Sequence, residues 1–425
     1  MACKRSGVQI PSAPHKFMKT FFIETKELIL SQGIIAVLAI IQIRIVAKTF
    51  GPELYGTIGV YLGLIAICFR LLNSRNSDLI LINFKSTSKN FLNTSILFEF
   101  ILGLLSALLV IVVLLISKKF NLLSFDTVPN YLLFFIFSRI FTNILEVFKG
   151  IYTHKGDMKT YSSLEAFSNI LRFSLVVSFV IYEASLKSFF NALSIHALIL
   201  GMVVLYLLLK SNKNISPSLG IIEYFQLSKK SFFQIRSDQS VGLIPAHLDV
   251  VVIGYFADFY AAGIYRIAKK LVDPINYLIV AFSPWMLNKI SNNDNFQFNT
   301  FVKRIILPAS IVLFTLYYIF GRLLIDLIVG ENFSDSFYPM LILLIGYVSY
   351  FLTFWTRHYL FLNDLISKHT IGRLINLFVF IIGTAILTTP FSYNGIALAV
   401  TLGTTIQKVY ELSIYLKHKK SKSKL

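Results

Sequence analysis

Charge is scarce in this chain, and negative charge is scarcer than positive. Only 14% of its 425 residues are charged, with 21 Asp and Glu against 40 Lys and Arg, where an ordinary globular domain carries about 25%. That shortage excludes a water-soluble domain as the main body of the protein. Cysteine is nearly missing as well. Cys3 and Cys68 are the only two, too few for a disulfide framework and without metal-ligand spacing. No GxxxxGKS/T phosphate loop, GxSxG elbow, HExxH pair or paired-cysteine motif occurs, so nucleotide hydrolysis and the commonest hydrolase chemistries have no machinery here. The expectation is a protein that is not an enzyme, with no catalytic residue, no metal and no cofactor. Residues 1–17 lack an apolar core and helical periodicity, which argues against a signal peptide. They read as a disordered or mis-annotated leader, with Met18 as a credible start.

What is present is apolar bulk. Hydrophobic residues make up 56% of the chain, including 40 Phe and 21 Tyr, and the mean hydropathy is +0.70. Runs of about 20 apolar residues are long enough to span a bilayer, and twelve such runs can be marked. They lie near 28–49, 54–72, 94–117, 130–149, 162–183 and 188–210, then near 235–256, 261–287, 304–328, 337–362, 370–389 and 393–416. The fold class expected is therefore an all-α polytopic membrane protein of about twelve transmembrane helices.

Loop charge supports that count independently, because Lys and Arg gather on the cytoplasmic side. With Met18 inside, the outside loops hold only Lys48, Lys118, Lys119 and Lys187. Every inside segment carries at least two basic residues, and the C-terminal one carries Lys417, Lys419, Lys420, Lys422 and Lys424. Both termini are thus expected in the cytoplasm. The formal net charge of +19 has no soluble face to present it to nucleic acid, so membrane lipids and an anionic lipid-linked substrate are the expected partners.

The two halves of the chain look related. The first hairpin turn reads FGPELYGTI from Phe50 and the seventh reads FADFYAAGI from Phe256, placing Gly56 opposite Gly263 with one residue gapped. Six spans separate the copies, so both hairpins share one membrane orientation, as in carriers built from parallel repeats with the site between them. The expected organisation is an N-lobe over 18–210, a cytoplasmic linker over 211–231, a C-lobe over 232–416 and a basic cytoplasmic tail over 417–425.

Ionisable residues inside spans are costly and mark substrate or ion paths by default. Arg266, Lys269, Lys270 and Asp273 fall at i, i+3, i+4 and i+7, on one helix face. Pro274 follows, freeing a helical carbonyl and predicting a kink; the alternative for this face is a self-neutralising structural cluster, with Asp273 paired to Lys269 or Lys270. In the fourth and fifth spans Arg139 and Arg172 lie deeper than Glu146 and Glu165, an arrangement that suits a pair of cations awaiting phosphate oxygens. Arg44 in the first span is a further cation at depth. The substrate-binding candidates are therefore Arg139, Arg172, Arg266, Lys269, Lys270 and Arg44. Asp249 and Asp273 are the candidates for ion coupling through H+ or Na+, with Asp249 alternatively a permanent partner of Arg44. The histidines His154, His196, His358, His369 and His418 share no spacing and read as interfacial or solvated.

The segments AKTFGPELYG (Ala47 to Gly56), LDVVVIGYFADFYAAGIYRIAKKL (Leu248 to Leu271) and FGRLLIDLIVGENFSDSF (Phe320 to Phe337) resemble the signatures of polysaccharide-biosynthesis membrane proteins, the O-antigen flippases. Lys48 departs from the arginine many relatives carry, and it keeps the cationic character. The resemblance implies a multidrug and toxin extrusion-like fold of two pseudo-symmetric six-helix lobes in the bacterial cytoplasmic membrane. It implies translocation of undecaprenyl-pyrophosphate-linked oligosaccharide from the inner to the outer leaflet by alternating access, with contact to glycan polymerase machinery. A drug or cation antiporter of the same superfamily fits the mostly positive intramembrane charge less well. A membrane glycan polymerase lacks the long outside loop it would need, and a lipid II flippase would usually have fourteen helices.

Overall fold

In lipid a polypeptide backbone must satisfy its own hydrogen bonds within a helix or a closed barrel, and this chain takes the helical solution. The computed structural model describes residues 14–73, 77, 80, 89–119, 128–155, 157–211, 241–242, 244–292, 302–363 and 365–422. Among the described residues there is no strand. Eight helical stretches of the described residues are long and apolar enough to cross a membrane, and two of these are double.

The first double stretch, Pro14–Leu72, breaks at Gly51, whose φ of 69° lies in the left-handed region. It is thus two helices, α1 over 14–50 and α2 over 52–72. Glycine adopts that backbone without a Cβ penalty, and Pro52 suits the first turn of the next helix because its missing N–H would be unsatisfied there anyway. Next come α3, Lys89–Lys119, and α4, Asn130–Arg139, which runs through a 3-10 turn, Ile140–Ile144, into α5, Leu145–His154. Helices α6, Met158–Tyr182, and α7, Leu186–Ser211, complete this half.

The second half opens with α8, Ile244–Phe256. Helix α9, Phe259–Val272, is capped by the Asp258 carboxylate, which accepts from Ala261 N at 2.6 Å. Helix α9 ends before Asp273, whose backbone stays helical at φ −54° and ψ −30°, and α10, Pro274–Asn292, begins at the proline. Then follow α11, Leu307–Ile328, α12, Phe337–Thr353, and α13, Trp355–Leu362. The last stretch, Ile366–Lys422, breaks at Ser392 with φ 48°, two residues after Pro390, giving α14 over 366–391 and α15 over 393–422. Each of the twelve expected spans finds its helical counterpart. Of the expected segment boundaries, the linker over 211–231 and the start of the seventh span lie outside the described residues, apart from Ser211 at the end of α7. Pro14 to Phe17 of the expected leader belong to α1, and Lys417 to Lys422 of the basic tail continue α15.

The core forms where the two halves cross. A Cβ on Gly56 would lie 1.8 Å from the carbonyl oxygen of Phe259, and one on Gly263 would lie 1.9 Å from the carbonyl oxygen of Pro52. Phe259 precedes Gly263 by the same four residues as Pro52 precedes Gly56, so the contact is two-fold in character. Only glycine lets two backbones approach this closely, the small-residue logic of membrane helix packing. Aromatic rings close around the crossing: Phe50 meets Phe189 edge-on at 6.3 Å and Tyr55 meets Phe333 at 6.2 Å.

Candidate functional site

On the side of that crossing toward which α2 and α9 run, the two halves part around a cavity of about 780 Å³. Its first wall comes from α1, α2, α4, α6 and α7, and its second from α8, α9, α10 and α12. On α2 the residues facing it are Tyr55, Gly59, Leu62, Gly63, Ala66 and Arg70, a stripe at helical spacing in which glycine and alanine make the room.

Seven of the eight candidate residues line this cavity: Arg139, Arg172, Arg266, Lys269, Lys270, Asp249 and Asp273. Arg44 does not. Its guanidinium donates to the carbonyl of Leu327 near the end of α11, one of the four orphan acceptors at any helix C-terminus. Asp249 likewise has a partner other than Arg44. Its carboxylate, 0% exposed, accepts from Lys269 Nζ at 2.5 Å and from the Tyr265 hydroxyl at 2.8 Å. Asp273 accepts from Lys270 Nζ at 2.7 Å, with the Tyr347 hydroxyl at 3.3 Å. Each acid of the cavity therefore holds one lysine.

The arginines are placed differently. Arg266 lies over the Tyr55 ring, 4.4 Å from its centroid, and donates to Tyr55 O at 2.8 Å. Gly59 opens that space, since a Cβ there would sit 2.8 Å from Arg266 Cδ. Gly59 precedes Arg266 by the same interval as Gly56 precedes Gly263. The arginine of one half thus fills a gap left by its equivalent in the other. Arg139 sits 5.3 Å over the Phe69 ring, and Arg172 donates to Asn169 at 3.1 Å while its buried Nε has no hydrogen-bond partner. Among the described residues no carboxylate pairs with Arg139 or Arg172. Glu165 instead faces Lys149 at 3.7 Å, and Glu146 accepts from Ser77 at 2.7 Å.

Among the arginine, lysine and histidine side chains of the lining, three are not candidates in the sequence reading. Arg70 ends the Gly59, Gly63, Ala66 stripe, and that spacing was a signal that could have found it. His196, expected to be interfacial or solvated, contacts Ser168 at 3.2 Å and lines the cavity. His247 lines it too. His369 also departs from expectation, being 1% exposed and in contact with Glu411. Isolated histidines carry no periodicity, so nothing local distinguishes a buried one. Among the described residues no group of three metal-ligating side chains forms.

A bundle of about twelve helices, closed by a crossing at one end and parted around a charged cavity at the other, has the fold of multi-pass membrane transporters. Similar solved structures include a lipid II flippase, MurJ, in an inward closed conformation, with TM-score 0.73, 16% identity, and 91% of this chain and 87% of that one covered. An inward-facing multidrug resistance MATE family transporter of the MOP superfamily matches at 0.66 and 14%, covering 91% and 96%. A MOP superfamily transporter from Pyrococcus furiosus, described by a binding pocket of reverse polarity, matches at 0.53 and 14%, covering 95% and 94%. No protein of curated function matches by sequence. The chain belongs to the polysaccharide biosynthesis protein family, whose pattern matches residues 25–285.

Proposed function

We propose that this protein is a flippase. It carries undecaprenyl-pyrophosphate-linked oligosaccharide, an O-antigen or capsule repeat unit, from the inner to the outer leaflet of the bacterial cytoplasmic membrane by alternating access. The observation that supports this reading is the convergence of Arg139, Arg172, Arg266, Lys269 and Lys270 on one cavity between the halves. An arginine at mid-membrane costs about 2.5–3.5 kcal/mol on insertion scales, and guanidinium matches phosphate oxygens in pairs. The pyrophosphate would lie against Arg139 and Arg172, completed by Arg266 and by the lysines as they leave Asp249 and Asp273. The polyprenyl tail stays in lipid. Exchange of protons or sodium at Asp249 and Asp273 would reset the cavity. On this reading both termini are cytoplasmic and the cavity opens inward. A carrier of cationic drugs would want acids free to meet its substrate, whereas both cavity acids already hold lysines.

Arg139→Ala with Arg172→Ala tests the proposal. Binding of undecaprenyl pyrophosphate to the purified protein should weaken at least about tenfold, which corresponds to about 1.4 kcal/mol, and surface glycan in a deletion strain should fall. Surface glycan at wild-type level would sink it.

A further inference from the structure

The half of the molecule that carries Asp273 holds a second ionised cluster, away from the cavity. Glu411 on α15 is 0% exposed, Lys408 on α15 3% and His369 on α14 1%. Glu411 Oε1 accepts from Gln407 Nε2 at 2.7 Å and faces His369 Nδ1 at 3.0 Å. Its Oε2 accepts from Lys408 Nζ at 2.8 Å and lies 2.8 Å from the Thr356 hydroxyl of α13. Asn376 on α14 donates to Gln407 Oε1 at 3.0 Å. Three helices therefore converge on one carboxylate.

The groups around it are mostly cationic. From α13, His358 is an electrostatic neighbour of Lys408, His369 and Arg357. From α12, the Tyr350 ring lies 4.5 Å under Lys408. On α14, Arg373 comes one turn after His369 and points to Gly242, while Tyr410 and Glu411 of α15 flank Gly372. Glu411 and Lys408 cancel, so the cluster is neutral with a neutral His369 and carries one net positive charge with a protonated one. Inside a low-dielectric bundle that difference is large. A purely structural clamp has no need of a titrating group, because an amide donates as well, and Gln407 does so on the same carboxylate oxygen.

We propose that His369, held by Glu411, is a proton-binding site that sets the balance between the two states of the carrier. It is additional to the acids in the cavity, and it rests on the carrier reading above. The proton arrives at and leaves from the ring nitrogen turned away from Glu411, while the Nδ1 proton stays on the Glu411 hydrogen bond, and no other bond changes. The mechanical link is short: α13 packs against α10, the helix that brings Asn276 and Tyr277 to the cavity.

The test needs no substrate. Ala66→Cys, in a background with Cys3→Ser and Cys68→Ala, places one thiol in the cavity of the full chain in proteoliposomes, and its rate of reaction with a membrane-impermeant maleimide reports how open the cavity is. After correction for the intrinsic reactivity of a free thiol, the rate should change about tenfold between about pH 5.5 and about pH 7.5, the range in which histidine titrates. His369→Gln should flatten that change to less than about twofold. A flat profile without His369→Gln, or an unchanged profile with it, overturns the proposal. Should His369→Gln fail to assemble, Thr356→Val removes one contact to Glu411 and should move the midpoint of the profile, and an unmoved midpoint overturns the proposal equally. Undecaprenyl pyrophosphate binding, measured separately at one pH, tests the flippase reading. Its failure with an intact pH profile, or the reverse, tells the two apart.

Discussion

At the scale of single residues, the cavity is built on unequal treatment of its cations. Lys269 and Lys270 are neutralised by Asp249 and Asp273 at 2.5 and 2.7 Å, whereas Arg139 and Arg172 rest on an aromatic ring and an amide. A buried ion pair is costly to break from one side, by about 3–5 kcal/mol, yet removing both charges is often close to neutral. Lys269→Met should therefore lower the thermal stability of the detergent-solubilised protein markedly, and adding Asp249→Asn should restore most of it. Equal melting temperatures for the single and double variants would show that Asp249 does not depend on Lys269. The sequence exposed the face shared by Arg266, Lys269, Lys270 and Asp273, because helical periodicity is a local property. It left open which acid takes which lysine, since that depends on how α8 lies against α9.

Among the helices, the crossing of α2 and α9 decides which end of the cavity is shut. With carbonyl oxygens 1.8 and 1.9 Å from where Cβ atoms would stand, neither Gly56 nor Gly263 tolerates a side chain in this arrangement. Gly263→Ala should drive these helices apart and slow transport at least about tenfold, if wedging them costs more than about 1.4 kcal/mol, while the protein still reaches the membrane. Gly33→Ala is the control, as nothing lies within 4 Å of its Cβ. Full transport by Gly263→Ala would mean that the contact is not needed. The correspondence of FGPELYG with FADFYAAG was legible in the sequence as a repeat. That the paired glycines touch one another was not, because similarity between two segments says nothing about their distance. Arg44 makes the same point from the other side. Its depth in α1 suggested the cavity, but its helix turns it toward the end of α11.

For the whole molecule, the proposed cargo carries about two negative charges outward, and an inside-negative potential assists each by ~2.3 kcal/mol per 100 mV. Clamping the potential to zero with potassium and valinomycin in proteoliposomes should slow translocation of undecaprenyl-pyrophosphate-linked N-acetylglucosamine severalfold, and reversing its sign should slow it further. A rate indifferent to potential would mean that the charge moves with a compensating ion.

The sequence by itself determined that this is a helical membrane protein of about twelve spans, because the length of an apolar run and the need to satisfy the backbone in lipid leave few alternatives. It also determined which helix faces carry charge. Only the tertiary structure decided which of those faces meet: seven candidate residues around one cavity, Arg44 outside it, and His369 on Glu411. The physical reason is one of range. Periodicity and insertion cost act within a helix, whereas the partner of a buried charge is set by packing between helices far apart in the chain.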